Sequence, residues 1–310
     1  MRYLQNLAVF AFVLTAVTGA AAPAPAAESY DACVGFIDAL PAAITTQGIW
    51  CLRQDLDTSA SSGHMIEIQT NNVTIECNGF RMRGSGGGSS TTAVGIYAAS
   101  RLNLAIRHCT IRGFGEGIKL IGGSDYIVEN NLLDQSRVIG IETSGAGSVV
   151  RRNNVVNTGG SPGNGQGYPI FAEGDVIDNV VDGVYAADSV VNFTANGIYS
   201  PTDTATNFGI VIQGNRIRNL TPKGTGEAIG ITSNGSGVAV RDNAIGQASS
   251  TTGFGVTCLD NTSQVRDNVI LNYGTGIQMA CDNAGGNSVH RRGANALHEM
   301  TGLVYYRLRY

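Results

Sequence analysis

Short apolar runs alternate with polar and glycine-rich segments along most of the chain, and the runs recur with similar residues. A pattern of Val or Ile, two variable residues, usually Asn, and an apolar residue two positions later begins at eight sites, most of them 22 to 31 residues apart. The copies begin at Ile75, Ile106, Val128, Val150, Val176, Ile212, Val240 and Val265. Short apolar runs bounded by turn residues predict β-strands rather than helices.

A second unit, Gly followed by Ile or Val, interleaves with the first. It begins at Gly95, Gly117, Gly140, Gly183, Gly197, Gly230, Gly255 and Gly276. Each repeat therefore holds two or three short strands, which are too few residues to close a hydrophobic core alone. Repeats of this length bury their apolar faces by stacking on one another.

The recurring Asn predicts an all-β, single-stranded parallel β-helix, which is a solenoid of stacked coils. Successive coils lie about 4.8 Å apart, so equivalent side chains stack directly. A buried Asn amide at a fixed corner can bond the corner backbone and the Asn residues above and below it, which satisfies a group that is costly to bury unpaired. The predicted Asn ladder comprises Asn78, Asn131, Asn153, Asn179, Asn215, Asn243 and Asn268.

From about Ile66 to about Leu303, these repeats resemble the pectin-lyase-like superfamily, which implies a right-handed parallel β-helix. That superfamily includes polysaccharide lyases, glycoside hydrolases, esterases, sugar epimerases, phage tailspikes and adhesins. The resemblance therefore specifies the fold and not the reaction. Signatures of its polygalacturonases, pectate lyases and alginate epimerases are missing from the chain.

The chain is predicted to have four parts. Residues 1–26 are predicted to be a signal peptide, because Arg2 precedes a short apolar run and small residues follow it. Residues 27–65 are predicted to form an N-terminal cap, with a short helix in "FIDALPAAI", and residues 66–303 to form the β-helix. Residues 304–310 are predicted to close the far end. The register between residues 170 and 210 stays open, because "SVVNFTANGI" can be aligned as an extra coil.

Six cysteines and a mild net charge of −4 indicate where the protein is located and which partners it is not expected to bind. An even number of cysteines in an exported chain favours disulfides, and the sequential pairing, one of fifteen, is Cys33–Cys51, Cys77–Cys109 and Cys258–Cys281. The chain lacks the basic patch that nucleic-acid binding needs and, after the leader, an apolar run that inserts into a membrane. We therefore expect a secreted or periplasmic protein.

One row of side chains is the predicted ligand-binding surface. Glycine-rich insertions all precede Gly-(Ile/Val) strands, and insertions on one flank of a solenoid usually mark its binding side. The residue after each inward Ile or Val should point outward. The row is Tyr97, Lys119, Glu142, Phe171, Tyr185, Tyr199, Thr232, Thr257 and Gln278. The catalytic candidates are Lys119 and Glu142, and the sugar-binding candidates are Tyr97, Phe171, Tyr185 and Tyr199, although aromatic residues also favour strands for packing reasons alone.

Two further sets of charged residues have structural alternatives. Glu76, Arg107, Glu129, Arg151, Gln213, Arg241, Arg266 and His290 form a second outward row, interpreted as a solvated face of ion pairs. An acidic cluster, Glu173, Asp175, Asp178, Asp182 and Asp188, makes Ca²⁺ a candidate ligand, although Asp178 also fits the corner position of Asp242 and Asp267. Otherwise no cofactor is expected. His64 and His108 are interpreted as surface or corner residues.

Two functions follow from these patterns. The first is an exported protein that acts on or binds a polysaccharide or cell-surface glycan, as a lyase or hydrolase of an acidic polysaccharide. In the lyase version, Lys119 or a tyrosine removes the proton. The alternative is a non-catalytic β-helix that serves as an envelope, adhesion or binding protein. The sequence does not decide whether the protein is an enzyme.

Overall fold

A computed structural model describes residues 30–201, 209–260 and 262–291. Within these residues the regular structure is 26 β-strands and a single 3-10 turn, Ser85–Gly87. No helix in the described part of the chain is long and apolar enough to cross a membrane. The predicted signal peptide and the C-terminal closing segment lie outside the described residues.

The strands form three parallel stacks, and each coil contributes one strand to each stack. The first stack contains β2 (Ala42–Ile44), β5 (His64–Ile68), β8 (Val94–Ala99), β17 (Thr194–Ser200) and β20 (Ala228–Ser233). The second contains β1 (Cys33–Ile37), β3 (Gly48–Leu52), β6 (Val73–Glu76), β9 (Leu102–Arg107), β18 (Val211–Gln213), β21 (Ala239–Arg241), β23 (Gln264–Arg266) and β25 (Asp282–Gly285).

The third stack holds the strands that precede the insertions. It contains β4 (Leu56–Asp57), β7 (Arg81–Arg83), β10 (Thr110–Arg112), β12 (Leu132–Asp134), β14 (Asn154–Gly159), β16 (Val180–Tyr185), β19 (Arg216–Thr221) and β26 (Ser288–His290). Long strands bend from the first stack into the second: β11 (Glu116–Glu129), β13 (Ile139–Arg151) and β15 (Gln166–Ile177). Two others run from the third stack into the first: β22 (Ala244–Cys258) and β24 (Val269–Ile277). The predicted parallel β-helix is confirmed.

Stacked aliphatic side chains fill the interior. The inward column of the first stack is fully buried and consists of Ile66, Ile96, Ile118, Ile141, Ile170, Ile198, Ile231 and Val256. Each buried side chain of this size contributes roughly 1.5–3 kcal/mol relative to an exposed one. Because a slip of one residue would turn the column outward, this burial fixes the register that positions the outward residues.

The Asn ladder is confirmed in six of its seven predicted members, which are all buried: Asn131, Asn153, Asn179, Asn215, Asn243 and Asn268. Each amide donates to the next Asn, as Asn215 Nδ2 does to Asn243 Oδ1 at 3.0 Å. The structure adds Asn287, whose Oδ1 accepts from Asn268 Nδ2.

Asn78 is not part of this ladder. It adopts a left-handed backbone (φ 51°), is partly exposed and donates to the carbonyl of Leu52. Cys77 is the buried residue at this corner and forms a disulfide with Cys109. Two extra residues in this turn, compared with the following coils, explain the wrong assignment.

The Gly-(Ile/Val) unit has a steric cause. A Cβ atom on Gly117 would approach the carbonyl oxygen of Gly140 on the next coil, and one on Gly230 would approach that of Gly255. In these strands a glycine backbone lies directly over a glycine backbone, so any larger residue would push the coils apart. The recurrence of Gly, like that of Asn, is therefore a stacking requirement.

The structure decides two expectations from the sequence, the N-terminal helix and the possible extra coil. The N-terminal helix predicted in "FIDALPAAI" is wrong, because β1 and β2 occupy that segment and already pair with later coils. The segment "SVVNFTANGI" is not an extra coil, since β17 pairs with β15 and β20 in regular succession.

All three predicted disulfides are present: Cys33–Cys51, Cys77–Cys109 and Cys258–Cys281.

Candidate functional site

Two adjacent rows of outward side chains run along the first stack, and together we call them the outward strip. The first row is His64, Val94, Glu116, Ile139, Tyr168, Asn196, Ile229, Phe254 and Thr275, and the second row is Glu67, Tyr97, Lys119, Glu142, Phe171, Tyr199, Thr232, Thr257 and Gln278. Each residue of the first row precedes its partner by three positions. Nine consecutive coils therefore contribute one pair each.

Most of the predicted binding row lies on this strip. Tyr97, Lys119, Glu142, Phe171 and Tyr199 occupy five consecutive coils in direct register. Thr232 and Thr257 follow them but are almost fully buried.

Tyr185 is not on the strip. It ends β16 in the third stack, where it pairs with Gly159 and Thr221. Gly183, two residues earlier, has a positive φ of 89° and is a turn glycine of the third stack. The sequence "GVY" therefore resembles the Gly-(Ile/Val) unit but does not form a strand of the first stack. The prediction that Tyr185 shares the face of Tyr97 is wrong.

The sequence reasoning missed the first row of the strip. It took Gly as the start of each strand, but the residue before Gly also faces outward and lies beside the residue three positions later. Glu116 and Lys119, and likewise His64 and Glu67, form such pairs. The signal was a polar or aromatic residue immediately before the Gly-(Ile/Val) unit.

The centre of the strip is one ammonium group held between two carboxyls. Lys119 Nζ lies 2.9 Å from Glu116 Oε2 in its own strand and 2.9 Å from Glu142 Oε2 on the next coil. The three side chains are between 16% and 24% exposed, so they are partly shielded from water yet reachable from it. The stacking of successive coils brings Glu142 to the Glu116–Lys119 pair, which lies within one strand.

This arrangement raises two pKa values. Burial raises the pKa of the Glu116 carboxyl, and the neighbouring Glu142 carboxyl raises it further, against the lowering effect of Lys119. For Lys119, burial works toward a lower pKa, but its hydrogen bonds to Glu142 and Glu116 outweigh it and the pKa is raised. Lys119 is consequently a cation at neutral pH, and Glu116 holds its proton to higher pH than an exposed glutamate does.

Aromatic side chains adjoin this charged centre on both sides. On the coil before Lys119, Tyr97 stacks on His64 with ring centroids 3.6 Å apart. On the coil after Glu142, Phe171 stacks on Tyr199 at 5.1 Å, and the Tyr168 ring meets both edge-on. Each stacked ring turns one face to its partner, so the aromatic residues form paired walls rather than separate flat platforms.

Loops from the third stack border the strip. The insertions before Val94, Tyr168 and Ile229 each connect a third-stack strand to a strip strand, whereas the residues before Phe254 belong to the continuous strand β22. Two loops are joined to each other: Phe193 and Lys223 pair through their backbones, and Lys223 Nζ donates to the carbonyl of Asp188 at 2.7 Å. The loop before β17 and the loop before β20 are thus held to each other.

The acidic segment after Phe171 does not form a metal site. Asp175 accepts the backbone N–H of Val211, Asp182 binds Arg218 at 2.7 Å, and Asp178 is a corner residue with φ 55°. No group of three or more His, Cys, Asp or Glu side chains that could hold a metal occurs among the described residues.

The second outward row forms an ion-pair ladder on the second stack. Arg107 contacts Glu76 at 2.8 Å, and Arg151 and Arg152 both contact Glu129 at 2.8 Å. His290 does not belong to this row, because it pairs with Leu271 in the third stack. This face matches the predicted solvated ion pairs and is separate from the outward strip.

No protein-family model and no curated protein matches the chain. Similar solved structures include the Dettilon tailspike protein gp208 (12% identity, TM-score 0.46, 82% of this chain and 60% of that one). A mutant tailspike protein of E. coli bacteriophage HK620 in complex with pentasaccharide is also similar (12%, TM-score 0.43, 83% and 54%). An alginate lyase from Paenibacillus sp. str. FPU-7 has 15% identity and a TM-score of 0.31 over 78% of this chain and 90% of that one.

The chain spans 54 to 60% of the length of these tailspike chains. With TM-scores below 0.5, the likenesses carry no argument about what this chain does. Its fold is established by its own strand pairing, and its function has to be argued from the outward strip.

Proposed function

We propose that the protein is an exported, carbohydrate-active β-helix protein that hydrolyses glycosidic bonds on its outward strip. The observation that carries the proposal is the pair of carboxyls, Glu116 and Glu142, around the ammonium of Lys119. One of the two carboxyls has a raised pKa, and aromatic side chains adjoin the pair on both neighbouring coils. A carboxyl with a raised pKa beside a second carboxyl is the arrangement that most glycoside hydrolases use for general acid catalysis.

The residues have distinct roles in this proposal. Glu116, whose pKa is raised, acts as the general acid that protonates the glycosidic oxygen as the bond to the leaving sugar breaks. Glu142 acts as the carboxylate partner, which activates the attacking water or attacks the sugar itself. Lys119 is a positioning residue that holds both carboxyls and limits their mutual repulsion.

Hydrolysis fits the strip better than the lyase reaction considered for the sequence. A lyase needs a base to remove a proton next to a uronate carboxylate, and a lysine with a raised pKa is a poor base. The stabilising cation would also have to be free, whereas Lys119 already has two carboxyl partners. Export is supported by the three disulfides, which persist in oxidising compartments.

The test is a hydrolysis screen of the purified protein on neutral and acidic polysaccharides, with new reducing ends as the signal. Glu116→Gln and Glu142→Gln should each lower kcat/KM on the active substrate at least about 100-fold, the scale of acid–base catalysis. Glu129→Gln is the matched control, because Glu129 is also an outward glutamate bound to cations but lies on the second stack. It should leave kcat/KM within about twofold.

Full activity in both strip variants would refute the catalytic roles. Absence of turnover on every substrate, with glycan binding retained, would favour the alternative of a non-catalytic binding protein. One observation supports that alternative: an ammonium bound at 2.9 Å by two carboxyls also serves as a structural ion cluster.

A further inference from the structure

We infer that the ligand of the outward strip is an uncharged glycan that lies along the strip and crosses the carboxyl pair. The inference rests on the proposed function and adds the substrate class and its direction. It departs from the acidic polysaccharide expected from the sequence. The argument combines the charges of the strip, the chemistry of its far half and the spacing of its coils.

The charged part of the strip repels anions. It contains three carboxyl side chains, Glu67, Glu116 and Glu142, and one ammonium, Lys119, which two of those carboxyls already bind. The ring of His64 also lies on the strip, but it faces Glu67 at 3.9 Å. Arginine is absent from both described rows. A polyuronate would bring a carboxylate on each sugar against this surface without a free cation to receive it, and such a mismatch opposes binding.

The far half of the strip carries no ionisable acid or base that titrates near neutral pH. Its residues are Tyr168, Phe171, Asn196, Tyr199, Ile229, Thr232, Phe254, Thr257, Thr275 and Gln278. Burial raises the pKa of the Tyr168 hydroxyl, and the neighbouring Tyr199 adds to the effect, so this hydroxyl stays neutral. Aromatic faces and neutral hydroxyl or amide groups are the usual partners of sugar C–H faces and hydroxyls.

Two polar groups next to Tyr199 have unused hydrogen-bonding capacity. Asn196 is 4% exposed and Thr232 is 3% exposed, yet Asn196 Nδ2 and Thr232 Oγ1 have no hydrogen-bond partner among the described residues. Asn196 lies three residues before Tyr199 in β17, and Thr232 pairs with Tyr199 across coils. Both atoms are themselves almost fully buried, so they make the floor beneath Tyr199 polar but uncharged and are not counted as contacts of the ligand.

The direction of the ligand follows from the coil spacing. Tyr97, Lys119, Glu142, Phe171 and Tyr199 lie on five successive coils, so the first and last are about 19 Å apart at about 4.8 Å per coil. A ligand that touches both aromatic groups must extend along the stack over the carboxyl pair. Bonds inside a chain, rather than terminal sugars, would then be cleaved.

The test measures binding separately from cleavage. A glycan array carrying neutral and uronate oligosaccharides of matched length would be probed with the wild-type protein and with Glu116→Gln, and the best ligand would be titrated by calorimetry. Neutral oligosaccharides should bind, with an affinity that changes less than about threefold between 50 mM and 500 mM salt, because no ion pair is formed. Tyr97→Ala and Tyr199→Ala should each weaken binding at least about tenfold.

Tyr185→Ala is the matched control and should leave binding unchanged, because Tyr185 lies in the third stack. A uronate as best ligand, or salt-sensitive binding, would overturn the inference; cleavage of that uronate, lost in Glu116→Gln, would still support the proposed hydrolysis. Neutral binding without turnover would support the inference and refute hydrolysis. Equal loss in the Tyr185 variant, or binding to no glycan, would overturn the inference.

Discussion

Lys119 Nζ lies 2.9 Å from Oε2 of Glu142, which comes from the next coil, and the same atom lies 2.9 Å from Glu116 in its own strand. The ammonium lowers the pKa of Glu116 against the raising effect of burial. Lys119→Met should therefore raise this pKa further. The proton of Glu116 would be retained to higher pH, so the alkaline limb of the profile of kcat/KM against pH should move upward.

The same shift can be followed without substrate, by a carboxyl-carbon NMR titration of Glu116. Lys223→Met is a suitable control, since Lys223 binds backbone carbonyls of a loop rather than the carboxyl pair. An alkaline limb and a titration midpoint that stay in place in Lys119→Met would contradict the electrostatic coupling between Lys119 and Glu116.

The Asn ladder makes a prediction about stability. Asn243 Nδ2 donates to the carbonyl of Ile212 and to Asn268 Oδ1, and Asn243 Oδ1 accepts from Asn215. Asn243→Leu would leave several buried backbone and amide groups unpaired, which should lower the free energy of unfolding by about 1–3 kcal/mol. Chemical denaturation measures the change. Asn154→Leu, at an exposed position next to a ladder residue, should change stability by less than about 0.5 kcal/mol.

The glycine column makes a second prediction about stability. A Cβ on Gly230 would lie less than 3.0 Å from the Ile245 side chain and from the carbonyl oxygen of Gly255. Gly230→Ala should therefore force the coils apart and lower the free energy of unfolding by about 1–3 kcal/mol. Gly163→Ala, where a Cβ would meet nothing within 4 Å, is the control. A melting temperature equal in the two variants would refute the stacking explanation.

The ion pairs of the second stack predict that removing Glu129 lowers the stability of the protein by an amount that depends on pH. Burial opposes ionisation of Glu129, but Arg151 and Arg152 outweigh it and lower its pKa. A carboxyl with a lowered folded-state pKa stabilises the protein above its unfolded pKa and loses that effect as the pH falls through the folded value. Glu129→Gln should therefore cost about 1 kcal/mol at pH 7 and nothing in strong acid.

Denaturation curves at several pH values test this difference. Asp57→Asn is the comparison, because Asp57 is 65% exposed and contacts Arg83 only at 3.6 Å. It should have little effect at any pH. A penalty for Glu129→Gln that is independent of pH would show that shape, not charge, is important at this position.

The sequence by itself determined the β-helix, because stacked coils require the same types of residue at equivalent positions and the sequence therefore repeats. Six of the seven predicted ladder asparagines and the inward aliphatic column could be predicted from spacing. The disulfides present are the sequential pairing, which was one of fifteen possible. The predictions were wrong at two positions, one where extra residues changed the spacing and one where a segment resembled the repeat by coincidence. Asn78 lies within a turn that has two extra residues, and Tyr185 follows a glycine of the third stack.

Only the tertiary structure decided what the outward strip contains. Glu116 belongs to the site because its carboxyl lies 2.9 Å from the ammonium of Lys119, three residues later in the same strand, a relation that strict strand alternation does not predict. The Glu142 carboxyl reaches the same ammonium because coil stacking brings residues 119 and 142 into register. The repeat along the sequence determines which residues face outward, whereas the contacts among them depend on the path of each strand and on the neighbouring coils.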